Sequence, residues 1–166
     1  MELSISFSTI IAAALSFLGV YFLMPLLLIG RDFLILKIID RYVMNKRFWL
    51  LLRIVSTDKA ILNERYAGRE TQMSFHENGS TYTIDGKEVD AQTYTIFENG
   101  LQMHMNRINQ NEPRIILRRN LIGWAEKYYK LDSELTKQVD EFAQRIYDNK
   151  VRSLKEEQKI KQPPVQ

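Results

Sequence analysis

The side chains best suited to chemistry in this 166-residue chain are two histidines, a short run of carboxylates and one basic-aromatic cluster; cysteine is absent. That absence excludes disulfides, thiolate metal sites and cysteine nucleophiles, and it fits a reducing compartment. His76 and His104 each fall in a strand-like pattern, His76 beside Glu77 and His104 between Met103 and Met105. A metal site needs further ligands at defined spacing, and neither histidine has them, so both read as ordinary strand histidines and no metal is expected. Asp85, Glu88 and Asp90 crowd one turn. Acid/base catalysis would require Asp85, Glu88 or His104 to converge in one pocket, whereas solvated charge at a hairpin is the simpler reading. HExxH, Gly-x-Ser-x-Gly, P-loop and GxGxxG patterns are all missing. Without a nucleophile elbow or a phosphate cradle, neither an enzyme nor a cofactor is expected.

The basic-aromatic cluster is Arg114, Arg118, Arg119, Lys127 and Lys130 interleaved with Trp124, Tyr128 and Tyr129. Such a surface suits anionic lipid, RNA or an acidic partner. Nucleic-acid proteins show stronger basicity or a defined module, so no nucleic acid is expected. Arg114, Arg118, Arg119, Trp124, Lys127 and Tyr128 are therefore the candidates for binding a partner or lipid. Asn78-Gly79-Ser80 matches the glycosylation triplet but fits a hairpin turn equally well.

The elements that must position these groups begin with Leu3 to Gly30, 28 residues without a charged side chain. About 20 apolar residues of helix cross a bilayer core, and a lone apolar run in lipid has to be helical to satisfy its backbone. A cleaved signal peptide would want a basic start, a shorter apolar run and a small-residue cleavage site, none of which fits Glu2, this length or Leu-Ile-Gly followed by Arg31. Pro25 is placed to kink the helix. The pair Ala12 and Ser16 offers one close-approach site, so a homo-oligomer through the anchor is an option.

Net charge alternates along the chain: +4 over Arg31–Val55, −4 over Ser56–Pro113 and +4 over Arg114–Gln166. Positive charge beside the span predicts an inner (plasma) membrane, single-pass topology with the N-terminus outside and the C-terminus cytoplasmic. Within Arg31 to Arg47, Lys37, Asp40, Arg41 and Arg47 share one helix side, while Phe33, Ile35, Leu36, Ile38, Ile39, Tyr42 and Val43 share the other. This predicts an amphipathic helix lying along the headgroups, with Arg31, Lys37, Arg41, Lys46 and Arg47 at the membrane surface, or else packing its apolar face on the soluble domain. Phe48 to Val55 reads as strand or helix, and Ala60 to Tyr66 as a short helix capped by Ser56, Thr57 or Asp58 and closed at Gly68.

Asn78-Gly79, Asp85-Gly86 and Asn99-Gly100 separate alternating β-branched and aromatic runs, the signature of type I′ hairpins. With Arg114 to Arg118 as a last strand, they predict an antiparallel meander of about four or five strands with one dry face. Asn120 to Tyr129 reads as an aromatic turn. A helix capped by Asp132 or Ser133 follows, and its stripe of Leu135, Val139, Phe142 and Ile146 is expected to cover the sheet. Beyond Lys150 a frayed helix and a disordered tail are expected.

The expected fold is thus α+β: a single transmembrane helix (1–30), a juxtamembrane helical connector (31–68), a cytoplasmic domain with a small antiparallel β-meander covered by a C-terminal helix (69–150) and a charged, disordered tail (151–166). In outline alone this resembles bacterial membrane-tethered domains of pleckstrin-homology-like shape, and outline does not license function. The expected function is non-catalytic: a cytoplasmic domain that docks on another protein as a subunit or accessory of a bacterial envelope complex of secretion or conjugation type. The alternatives are an immunity or exclusion protein that blocks an incoming apparatus at the inner membrane, and a lipid-sensing module. The expected partners are the bilayer and a protein of a membrane complex.

Overall fold

The computed structural model describes residues 7–76, 79–131 and 134–161. They form a mostly helical molecule with one three-stranded sheet.

The chain opens with α1 (Phe7–Leu18), which passes through a wide π turn (Gly19–Leu23) into α2 (Met24–Ile38). A second π turn (Ile39–Val43) prolongs it, so one helix of 37 residues runs from Phe7 to Val43. It is long and apolar enough to cross a membrane, with mean hydropathy 2.3 in its most apolar window and none of that window buried. The first π turn lies just before Pro25, whose ring lacks a donor and crowds the carbonyl of Tyr21 inside that turn. No break separates residue 30 from residue 31, so the helix expected to lie flat beneath the span is instead its direct continuation. Its apolar face is divided. Ile39 is buried and Ile35 and Val43 pack on the domain core, while Phe33, Leu34, Ile38 and Tyr42 stay exposed.

The helix ends at Met44, and Asn45 caps α3 (Lys46–Ile61) by accepting from the Phe48 amide at 3.0 Å. The sequence suggests Ser56 and Asp58 as caps, but both are buried positions inside a continuous helix that covers Phe48–Val55 and runs on to Ile61. A third π turn (Leu62–Tyr66) and Gly68, at φ +73°, close it.

Strands β1 (Thr71–His76), β2 (Gly79–Ile84) and β3 (Lys87–Val89) form an antiparallel meander in the order β1-β2-β3. Asp85 and Gly86, at φ +53° and +71°, make the predicted turn between β2 and β3. Asn78, assigned to the first turn, lies outside the described residues.

The third hairpin does not exist. Asp90 caps α4 (Ala91–Tyr129), a helix of 39 residues that absorbs Asn99-Gly100, the run Arg114 to Arg118 and the aromatic turn Asn120 to Tyr129. Its buried positions His104, Ile108, Ile115, Ile122 and Ala125 recur at heptad-like spacing, and all but His104 join one core cluster with Ile39, Met44, residues of α3 and the later Val139. Pro113 interrupts it on an exposed face, where solvent can satisfy the freed carbonyl. Gly100 fits the helix because Tyr66 lies against it: a Cβ there would overlap the Tyr66 hydroxyl and sit 3.3 Å from its Cζ.

The last helix, α5 (Leu135–Lys161), also departs from expectation. Its Val139 joins Phe48, Leu52 and Val55 of α3 in the core, and Phe142 meets the Trp49 ring edge-on at 4.9 Å. The stripe thus covers a helix and not the sheet. Residues 151–161 stay helical, with Leu154 buried and Arg65–Glu157 paired at 2.9 Å. The expected caps Asp132 and Ser133 and the end of the tail lie outside the described residues. The domain is therefore a three-helix bundle with the meander at one end, and the outline likeness to a sheet-based domain falls with the missing strands.

Candidate functional site

Pairings along α4 fix where each candidate residue lies. Arg31 stands 5.6 Å from the Tyr129 ring centre and donates to the Tyr129 carbonyl at 3.5 Å. Arg118 donates to the Val43 carbonyl and the Asn45 side chain, Arg107 reaches Asp58, and Phe97 meets Tyr66. The helix therefore runs antiparallel to α2 and α3, from the sheet back to the end of the apolar helix. At 1.5 Å per residue the path from Tyr129 to Phe97 is about 50 Å. The sheet sits at the far end of that rod, away from the end where Arg31 meets Tyr129.

The five basic residues assigned to the membrane surface spread along this axis. Arg31 pairs with its neighbour Asp32, and Lys37 lies 5.8 Å over the Phe33 ring. Arg41 is exposed about 15 Å along the helix from Arg31, and Lys46 and Arg47 lie beyond the break at Met44. With a Debye length of about 8 Å, Arg31 is the one of the five within a screening length of residue 30, and Lys37 lies about 10 Å from it.

The partner-or-lipid candidates divide in the same way. Arg114 is exposed, while Arg118 is committed to the α2–α3 junction. Arg119 makes a two-pronged pair with Asp140 of α5, whose hydrogen bond raises the pKa of the guanidinium. Arg118 and Arg119 thus act inside or along the bundle. Trp124, Lys127 and Tyr128 come together at the end of α4 and line one shallow groove. Trp124 stacks on Tyr128 at 5.1 Å and 15°, and Tyr128 meets Tyr129 edge-on at 4.9 Å. Trp124 is 55% and Tyr128 67% exposed, a large uncovered area for rings with one polar tip each. Lys130, at φ +51°, ends the helix, and Glu126 caps α5 through the Leu135 and Thr136 amides. The end of α4 and the start of α5 are thereby tied together.

Comparison of the chain with protein-family models, curated proteins and solved structures finds no match in any of the three. Its function has to be read from its own geometry.

One polar site escaped the sequence reading. Asp58 is fully buried and accepts from Arg107 Nε and Nη2 at 2.8 and 2.7 Å and from His104 Nδ1 at 2.7 Å. The contact assigns a proton to His104 Nδ1, because a carboxylate only accepts. The signal was present in the i, i+3 spacing of His104 and Arg107, which is meaningless in a strand and puts both on one side of a helix. His104 does not meet Asp85 or Glu88. Asp85 accepts from the Glu70 amide at the β2–β3 turn, and Glu88 is exposed on β3. Among the described residues no group of three potential ligands could hold a metal ion.

At the sheet end, residue pairs Thr71 with Ile84, Met73 with Tyr82 and Phe75 with Ser80 share one face. The start of α4 covers part of it, with Tyr94 against Tyr82 at 5.1 Å and Ile84 buried. The rest is open: Met73 is 40% and Phe75 75% exposed, beside the edge of β1, which pairs with no further strand among the described residues.

Proposed function

We propose that this chain is a non-catalytic, single-pass protein of the inner (plasma) membrane, with its N-terminus outside, whose cytoplasmic domain docks on another protein as a subunit or accessory of a bacterial envelope complex. The basic excess after the apolar helix supports the orientation. The uncovered part of the sheet face carries the docking reading. An apolar ring as exposed as Phe75, beside a free strand edge, is a surface that natural proteins normally blunt or use. Its place about 50 Å along the rod from Arg31 suits a partner that stands clear of the bilayer.

A photo-crosslinking residue in place of Phe75, in the full chain in its own membranes, is expected to trap one discrete protein adduct. The same residue in place of the exposed Lys137 of α5 should trap none. Equal adducts at both positions, or none at position 75, would remove the docking reading.

A further inference from the structure

At the opposite end of the rod the geometry points to a second contact: we infer that Trp124, Lys127 and Tyr128 sit in the headgroup layer of the bilayer that the α1–α2 helix crosses. This rests on the span reading above and adds a lipid-binding surface to it. Arg31 is the first charged residue after the apolar run, and its contact with Tyr129 puts the end of α4 at that level. Along the helix axis Tyr128 lies within about 2 Å of Tyr129, and Trp124 about 8 Å from it. The interfacial region adds about 5 to 8 Å on each side of the hydrocarbon core, so both rings fall within it. Tryptophan and tyrosine are the residues enriched at that depth, apolar in body and polar at the tip.

Charge agrees with an anionic surface. Asp32 is bound to Arg31, Glu126 to the Leu135 and Thr136 amides and Glu134 to Lys137, so the described acidic groups at this end are engaged. Lys127, Lys130 and Lys37 are exposed and remain to face the phosphates of an anionic surface. A protein partner fits less well, because a stable interface takes about 800 Å² from each side, more than two rings and a lysine present.

The test is depth-resolved quenching in the full chain reconstituted into anionic phospholipid vesicles, with lipids brominated near the headgroup end of the acyl chains. Trp49 is the other tryptophan and packs on Phe142, so W124F supplies its background. The expected result is loss of the Trp124 emission with shallow bromination. The cysteine-free chain also permits Tyr128→Cys carrying an environment-sensitive fluorophore, whose emission should shift to the blue on reconstitution. Alkaline carbonate extraction separates the two readings. A carbonate-resistant chain whose Trp124 is unquenched and whose position 128 stays water-like loses the headgroup contact and keeps the span. A chain stripped from the vesicles loses both.

Discussion

Asp58 shows how a polar side chain can organise a core that sequence patterns alone would make apolar. Its carboxylate is fully buried in α3, and it is tolerated because three donors from His104 and Arg107 meet it there. Removing one partner of such a site is costlier than the net worth of the pair, because the remaining groups are left buried and unpaired. Asp58→Ala is therefore expected to destabilise the bundle by about 3 kcal/mol, read as a lower thermal midpoint of the detergent-solubilised chain. Arg107→Ala should cost clearly less, since its side chain is partly exposed and water can replace it while His104 still holds Asp58. Equal losses would mean that Asp58 does not organise the site.

Helix α4 turns on its two glycines, which look alike in the chain and differ in their surroundings. Gly123 faces ordinary space, with the Thr136 hydroxyl 3.7 Å from where a Cβ would be, whereas Gly100 is pressed by the Tyr66 ring. Gly123→Ala should stabilise the protein by about 0.5 to 1 kcal/mol through helix propensity. Gly100→Ala gains the same propensity, but the added methyl meets the ring, and overpacking of this kind costs about 1 to 3 kcal/mol. Opposite signs are expected in paired thermal unfolding measurements. A stabilising Gly100→Ala would show that the Tyr66 contact does not hold. The same contact explains why Asn99-Gly100 misleads: the pair permits positive φ without requiring it, and here the glycine serves close approach.

The assembled chain is a rod with a different surface at each end. An aromatic-basic tip lies beside the apolar helix, and a half-covered sheet lies at the other end, with α4 running between them. Spin labels at positions 130 and 87 should report a separation of about 50 Å or more, from the rise of α4 alone. A distance below about 30 Å would mean that the bundle folds back and that the sheet approaches the bilayer after all.

Local pattern was sufficient for the apolar run, the three strands around Asp85-Gly86 and the helical period after Leu135, because length, alternation and turn chemistry act between near neighbours. Of the candidate site, Trp124, Lys127 and Tyr128 were legible as a cluster, since i, i+3 and i+4 residues meet on a helix and lie close in an aromatic turn as well. The fate of 91–129 was not legible. Its short β-branched and aromatic runs suit either period, and burial of Ile108, Ile115 and Ile122 in one core cluster decides for helix. Only tertiary packing could choose whether the stripe of α5 covers a sheet or α3, join Asp58 to residues 46 and 49 positions away, and carry the sheet to the far end of the rod. An apolar stripe states that something must cover it; what covers it depends on contacts between segments distant in the chain.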